Sequence, residues 1–170
     1  MILELLDSTD NRLITKSTPF EGDDRTELFE NLKETMIHHK GYILTAIQTG
    51  SPVRAFAFGN PDDPDNIVGC FNPRIVDTSD EISLEEENSL TSPGLFVKVK
   101  RHDWVRVRYT THEGVTDTIK VGGLTARLFQ QAVDHLDGIL YTHRANRYHL
   151  EQARKNKVKL DKLRKKRQAA

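Results

Sequence analysis

The residues with the clearest chemical potential lie near the end of a predicted helix. The window Gln131-Ala132-Val133-Asp134-His135 has the spacing of the H-E-x-x-H pattern. In that pattern two histidines one helical turn apart bind a metal, and the glutamate beside the first is a general base. Here His135 is the only histidine of the window, and Gln131 and Ala132 occupy the positions of the other histidine and the base. The window therefore has the form of a metal-hydrolase helix with most reactive groups replaced.

The elements that must position this window are predicted to be antiparallel strands. Apolar and basic residues alternate over 96–100 and 104–109, which is typical of strands with one face toward a core. The residues expected to face that core are Val97, Val99, Val105, Val107 and Tyr109. His112-Glu-Gly114 is a turn signal, and 115–121 is expected to continue the same meander. Two further strands are predicted at 53–58 and 67–71, the second ended by Asn72-Pro73.

Three helices are predicted from apolar periodicity and end signals. The first begins at Asp23 or Asp24 and ends near His39. The central one spans 124–136, with a buried stripe of Leu124, Leu128, Ala132 or Val133, and Leu136. The last spans about 146–166 and has no Pro or Gly. The segment 85–93 is polar and turn-rich, and 139–142 is expected to be a short strand or an extended exit. The fold class is therefore α+β, with antiparallel strands around a central helix.

Charge is distributed unevenly along the chain, although Lys+Arg and Asp+Glu both total 25. Residues 151–170 carry a net charge of +7, and the first 150 residues carry −7. An acidic body with a basic end predicts an anionic partner for the C-terminal helix. The single cysteine, Cys70, excludes an internal disulfide framework and fits a reducing cytoplasm. With Glu4 and Asp7 near its start, the chain is expected to have no signal peptide, and no apolar run is long enough to span a membrane.

Three ordered segments resemble the signature motifs of the peptide deformylases, which read G-x-G-L-A-A-x-Q, E-G-C-L-S and Q-H-E-x-D-H-L-x-G. The corresponding segments are Gly41-Tyr-Ile-Leu-Thr-Ala-Ile-Gln48, Glu87-Asn-Ser-Leu-Thr91 and Gln130-Gln-Ala-Val-Asp-His-Leu-Asp-Gly138. Asp10-Asn-Arg-Leu13 and Phe71-Asn-Pro-Arg-Ile75 also look like family sequence, most like phage-encoded members. The resemblance implies a deformylase-like domain at 1–145, followed by a basic helical extension at 146–170.

The resemblance also implies roles for individual positions. In the family, the cysteine of the second motif and both histidines of the third bind Fe²⁺ or Zn²⁺, and the glutamate moves a proton. The metal positions are then Ser89, Gln131 and His135, and the base position is Ala132. Gln48 and the amide of Leu90 correspond to the groups that stabilise the oxyanion when formyl-methionine is hydrolysed. The second glycine of the first motif is Ile43, which is expected to crowd a bound peptide.

These replacements lead to a first hypothesis of a protein that has lost catalysis and kept the fold as a binding or assembly scaffold. It would bind no metal and would have no catalytic residues, and its partner would be the ribosome or phage assembly proteins. The alternative is an active, divergent deformylase that uses Zn or Fe to remove formyl from N-terminal formyl-methionine. Metal loss is expected to be severe, since a bound divalent ion lowers the pKa of its water from about 15.7 to about 7.

The basic helix resembles the C-terminal helix by which some bacterial deformylases dock on the ribosome. Its cationic side chains spread around most of the helix, which favours contact with phosphate over insertion into a protein groove. No aromatic stacking set accompanies them, so sequence-specific DNA binding is not indicated. The expected location is the cytoplasm, or the virion for a phage-encoded chain. The partner-binding candidates are Arg154, Lys155, Lys159, Lys162, Lys165, Lys166 and Arg167.

Some of these side chains also have purely structural interpretations. His135 is expected to be a partly buried, hydrogen-bonded histidine, with Asp134 as a local cap. Cys70 is expected to be a small core residue. The three glutamates at 85–87 are expected to form a solvated loop, although Glu87 corresponds to a family position that fixes that loop. A nucleophile pair of Ser89 and His135 is disfavoured because no third orienting group is evident.

Overall fold

Two antiparallel sheets and four helices make up the structure, a computed structural model that describes residues 1–170. One sheet has the order β1-β2-β3-β6-β7, and β4 and β5 form the other. The strands are β1 (Ile43–Thr45), β2 (Ala55–Phe58), β3 (Val68–Thr78), β4 (Ile82–Ser89), β5 (Ser92–His102), β6 (Trp104–Thr111) and β7 (Thr116–Gly122). The helices are α1 (Thr26–His38), α2 (Gly123–Leu136), α3 (Tyr141–Arg144) and α4 (Arg147–Ala169), with 3-10 turns at Asn11–Ile14, Ala46–Thr49 and Pro64–Asn66.

Helix α2 lies at the centre of the molecule. Phe129 packs edge-on against Phe56 and Phe58 of β2, and the same apolar cluster includes Val105 and Val107 of β6. Strands around a central helix confirm the predicted α+β class. The predicted buried stripe of α2 is partly wrong, because Leu124 is 68% exposed and Leu128 only half-buried. The stripe instead begins at Ala126, continues through Phe129, and includes Ala132, Val133 and Leu136.

The polar segment 85–93 was predicted to be turn-rich, and this prediction is wrong. It contains the end of β4, a tight turn and the start of β5, with Glu87 opposite Val97 and Glu85 opposite Val99. The inward valines of 96–100 were expected to join the meander of 104–109 and 115–121. Only β6 and β7 pair in that way, whereas β5 pairs with β4. Alternation predicts a strand but not its partner, because partners are chosen by contacts distant in sequence.

Two further boundaries differ from the sequence predictions. Strand β3 was expected to end at Asn72-Pro73, but it continues to Thr78 through a register shift between Phe71 and Arg74. A bulge explains this, since it accommodates a proline that cannot donate a ladder hydrogen bond. The side chain of Asn72, whose φ is 51°, bonds both the amide and the carbonyl of Phe20. The segment 139–142 is not a strand, because α3 begins at Tyr141.

The first and last helices confirm the sequence predictions. The carboxylate of Asp24 accepts from the amide of Thr26 at the start of α1. The side chain of Asn146 accepts from the amide of His149 at the start of α4. Helix α4 packs its first turns on β5, and Ala153 is buried in a cluster with Val97, Val99 and Tyr141. The division at residue 145 stays a prediction. No helix combines the length and apolar character that crossing a membrane requires.

Candidate active site

The three motif-like segments meet in one cleft with a volume of about 260 Å³. One wall comes from Gly41–Gln48, a second from the end of β4, and the third from α2. Its apolar side chains are Tyr42, Ile43, Leu90, Leu128 and Ala132. Its polar side chains are those of Lys40, Thr45, Gln48, Asn88, Ser89, Gln131 and His135. The cleft therefore contains every position that the resemblance assigns to the family's metal, base and oxyanion groups.

Gly41 allows the first wall and the β4–β5 turn to approach closely. A Cβ at this position would lie 2.7 Å from Leu90 Cδ1, which is closer than van der Waals contact allows. Gly138 has an equivalent function beyond α2, with φ 77° and only 2.6 Å between a built Cβ and the carbonyl oxygen of Ile14. A side chain at position 138 would therefore clash with backbone, whereas one at position 41 would require the Leu90 side chain to move.

The amide of Gln48 is held in one orientation. Its Oε1 accepts from both the backbone amide and the hydroxyl of Thr45, each at 2.9 Å. Because a backbone N–H can only donate, the oxygen must face Thr45 and Nε2 must face the opposite way. Nε2 lies 3.2 Å from Ser89 Oγ, its one protein partner. An amide nitrogen has two hydrogens, so one remains for a ligand.

Hydrogen bonds also engage the two family metal positions that are not histidine. Ser89 Oγ lies 3.0 Å from Thr91 Oγ1 in addition to its contact with Gln48. Gln131 Nε2 donates to the carbonyl oxygen of Asn88 at 2.8 Å, which ties α2 to the end of β4. Neutral hydrogen bonds therefore join the Gln131 side chain of the third motif to the backbone of the second, and the Gln48 side chain of the first motif to Ser89.

His135 is buried, with 6% of its surface exposed, and its Nε2 has no hydrogen-bond partner. Burial lowers its pKa from 6.5 to about 4, and the Asp134 carboxylate only partly offsets this effect. The ring is therefore neutral at pH 7. His135 was expected to be hydrogen-bonded, and this prediction is wrong for its Nε2 atom. The expectation that Asp134 is a local cap is also wrong, because its carboxylate pairs with Arg101 and Arg144.

A buried ion network lies behind the cleft. Arg101 of β5 joins Glu87 of β4, through two 2.9 Å hydrogen bonds, to Asp134 of α2 at 2.5 Å. Arg127 donates to Glu87 at 3.0 Å, and Arg144 binds both oxygens of Asp134 at 2.8 and 2.9 Å. Glu87 and Asp134 each lie within two residues of a cleft side chain, Ser89 and His135. The network therefore fixes the backbone of two motifs relative to each other.

The function of Arg101 in this network was not predicted from the sequence. The signal was present in the alternation, because Arg101 shares the inward phase of Val97 and Val99. A solvated loop was expected for all three glutamates at 85–87. It is wrong for Glu87, which is 8% exposed, although Glu85 and Glu86 are exposed. Cys70 is buried in the core, as predicted.

The metal implied by the resemblance can be tested against these donors. His135 fits a metal ligand, because it is neutral and its Nε2 is unpartnered. Ser89 and Gln131 do not fit, because a neutral hydroxyl and an amide are poor ligands for Zn²⁺ or Fe²⁺, and both side chains are already hydrogen-bonded here. No group of three or more His, Cys, Asp or Glu residues could hold a metal ion. The donor set therefore does not match the family's metal centre.

The seven predicted partner-binding residues of α4 are all exposed, and none of them forms a salt bridge. Both acids of 151–170 are already paired within the helix, Glu151 with Arg147 and Asp161 with Lys157. None of the seven lines the cleft. Their interaction with a partner stays a prediction.

Comparisons with known proteins were consistent at the level of sequence and of structure. The polypeptide deformylase family model matches residues 2–151. The peptide deformylase of Novosphingobium aromaticivorans is 33% identical, with 96% of this chain and 98% of its own covered. That of Bartonella tribocorum is 38% identical over 74% of each chain.

Solved structures show the same similarity. A peptide deformylase from Legionella pneumophila gives a TM-score of 0.86 at 26% identity and covers 96% of this chain and 98% of its own. The Met-Ala-Ser-bound enzyme from Acinetobacter baumannii gives 0.77 at 29%, covering 85% and 98%.

The first hypothesis, a scaffold without catalysis, is wrong in the light of these relatives. Proteins that share about a third of the sequence over nearly the whole chain are named for an enzymatic activity. The expectation that the chain is not an enzyme is corrected on the same ground. The phage-like character has no support among these relatives, which come from bacteria.

Proposed function

Because the chain belongs to the peptide deformylase family, we propose that it hydrolyses the formyl group from N-terminal formyl-methionine of peptides bound in the cleft. The observation that supports this most directly is the meeting of Gln48, Ser89 and His135 in one partly apolar cleft. Ile43, Leu128 and Ala132 offer apolar contact to a methionine side chain, which is flexible enough to fill an irregular space. Ile43 narrows this space where the family has glycine.

Gln48 is the residue best placed to stabilise the oxyanion. The second hydrogen on its Nε2 is free, and the fixed orientation of the amide requires no rearrangement when negative charge develops on the formyl oxygen. A donor oriented in advance contributes more than one that must reorient during the reaction. The backbone amide of Leu90 is the second donor that the family resemblance assigns.

Among the side chains that line the cleft, the neutral imidazole of His135 is the one suited to accept a proton from water. In this step water oxygen attacks the formyl carbon, and its proton passes to His135 Nε2. The C–N bond then breaks, the leaving nitrogen takes that proton from His135, and formic acid departs and loses its remaining acidic proton to solvent as formate. A base with a pKa of about 4 is poorly matched to neutral pH, so hydrolysis is expected to be slow.

Relatives of this chain belong to a metal-dependent family, but no step of this proposal uses a metal. A metal held by His135 would activate water, as it does in other hydrolases. The hydroxyl of Ser89 and the amide of Gln131 are weak ligands. A site made of these two groups and His135 would therefore bind the ion less tightly than a thiolate and two imidazoles do. Zn or Fe dependence is therefore expected to be weak.

Formate release from formyl-Met-Ala-Ser tests the proposal. The expected result is release above the blank that falls by about 10²-fold or more in Gln48→Leu and in His135→Ala. Gln152→Leu on the exposed face of α4 is the matched control. Absence of release would overturn the proposal, as would release that both cleft variants retain, since this would indicate a contaminating host enzyme.

We propose a second function for the exposed cations of α4, namely contact with nucleic-acid phosphate such as that of ribosomal RNA. Support comes from the pairing of both local acids within the helix, which leaves the partner-binding residues free of protein partners. Salt-sensitive co-sedimentation with ribosomes is expected to be lost when Lys155–Ala170 is deleted. Retention by the truncated chain, or binding that is unchanged by salt, would contradict this proposal.

A further inference from the structure

Lys40 stands at the rim of the cleft in an unusual backbone conformation. Its φ is 54°, in the left-handed region that costs a side chain of this size free energy and that glycine adopts easily. The end of α1 enforces this geometry, since the amide of Lys40 donates to Ile37 O and that of Gly41 to Met36 O, each at 2.9 Å. A lysine is therefore present where a glycine would fit the backbone better.

Lys40 is also the only formally charged side chain among those lining the cleft at pH 7. The lining residues include no carboxylate and no second Lys or Arg, and His135 is neutral. Lys40 is exposed and forms no salt bridge or side-chain hydrogen bond. Glu87 precedes the β4 residues that line the cleft, but its carboxylate is paired with Arg101 and Arg127 behind the cleft. No carboxylate therefore lies within salt-bridge distance of the Lys40 ammonium.

We propose that Lys40 selects ligands with a carboxylate placed beyond the methionine that enters the cleft. The carboxylate belongs to an acidic side chain at the second residue of a formylated peptide, or to the free C-terminus of a very short one. This inference rests on the proposed function, because it assumes that a formyl-methionyl end occupies the cleft. It adds a specificity-determining residue and a substrate class, peptides that are acidic directly after the methionine.

The size of the effect follows from exposure. An exposed ion pair contributes enough for about a two- to five-fold preference, and salt screens it. The preference should therefore be clear at low ionic strength and small at high ionic strength. The first 150 residues have a net charge of −7, so an acidic ligand gains no general attraction from the protein body. A preference for acidic peptides would accordingly have a local origin.

The test compares three amidated peptides, formyl-Met-Glu-Ser, formyl-Met-Gln-Ser and formyl-Met-Lys-Ser, with formyl-Met-Gln-Ser bearing a free C-terminus. Binding is measured by calorimetry or chemical-shift titration, and formate release is measured separately. The wild-type protein should bind the Glu peptide about two- to five-fold more tightly than the Gln peptide. Lys40→Gln should remove the difference, and Lys40→Glu should favour the Lys peptide. The free C-terminus distinguishes a terminal carboxylate from a side-chain one.

Two further variants separate charge from fold. Lys33→Gln is the matched control, because Lys33 lies on α1 above the ring of Phe29 and does not line the cleft. Lys40→Gly should lose the preference and yet raise Tm, since glycine adopts the observed φ without strain. Equal binding and equal kcat/KM for the Glu peptide, the amidated Gln peptide and the Gln peptide with a free C-terminus would overturn the inference while leaving the proposed function intact. Selective binding without formate release would support the inference and overturn the proposed function. Absence of binding would overturn both the inference and the proposed function.

Discussion

Two polar clusters on the same elements differ completely in how they are satisfied. Behind the cleft, Glu87 and Asp134 are each bonded by two guanidinium groups. In the cleft, Ser89 and His135 lie within two residues of these acids, carry no charge at pH 7, and leave His135 Nε2 unpartnered. The first cluster holds β4, β5 and α2 together, and the second lines the cleft. Neighbouring residues thus point in different directions: Glu87 and Asp134 position the elements, and Ser89 and His135 face the cleft.

The largest effect is expected from breaking the ion network. Arg101→Met would leave Glu87 and Asp134 buried with fewer partners, and the free energy of unfolding should fall by about 3–5 kcal/mol. Arg106→Met is the matched control on β6, since its 3.9 Å pair with Asp77 is exposed and should contribute about 0–1 kcal/mol. Chemical denaturation measures both. Equal losses in the two variants would show that the buried network contributes no more to the free energy of unfolding than an exposed ion pair does.

A pH titration examines the neutral cluster. The unfolded chain protonates His135 near pH 6.5, whereas the folded chain does so only near pH 4. The unfolded state therefore binds more protons between these values, and the folded state loses roughly 3 kcal/mol of stability as pH falls through that window. His135→Gln should flatten the slope, and Gln152→Leu on the exposed face of α4, which removes no titratable group, should not. An unchanged slope in His135→Gln would count against burial as the origin of the low pKa.

Replacing neutral donors with metal ligands sharpens the same comparison. Ser89→Cys with Gln131→His places a thiolate and two imidazoles in the cleft. Zinc at one hundred times its Kd should then raise the free energy of unfolding by about 2.7 kcal/mol. Cys70 should not compete, because burial raises the pKa of its thiol. Ser89→Cys alone is the control. Zinc stabilisation of the unmodified chain to the same extent would refute the poor fit of its own donors.

The smallest effect is expected at the edge of the network. Arg144 donates to both carboxylate oxygens of Asp134, but its side chain is 49% exposed, so Arg144→Gln should cost only about 1 kcal/mol of stability. Arg147→Gln, which removes an exposed i,i+4 pair with Glu151, should cost about 0.3–0.5 kcal/mol. Urea midpoints measured in parallel distinguish the two. A loss at Arg144 as large as that at Arg101 would mean that exposure does not weaken this arm.

The sequence predicted those features that depend on local pattern. Helices α1 and α4 follow from periodicity and caps, and the inward valines of β5 and β6 follow from alternation. The meeting of the three motifs in one cleft came from the family resemblance. The β4–β5 hairpin was missed because Glu87 looks like a loop residue unless Arg101 and Arg127 are known to face it. The neutral state of His135 was also missed, since it depends on burial by residues distant in sequence.

The clasp between Arg144 and Asp134 has a mechanical consequence. It joins the segment before α4 to the central helix one residue away from His135. Tension applied to the C-terminal helix would reach His135 through this bidentate contact as well as through the packing of α4 on β5. A large partner bound to α4 would thus be able to displace the side chain of His135.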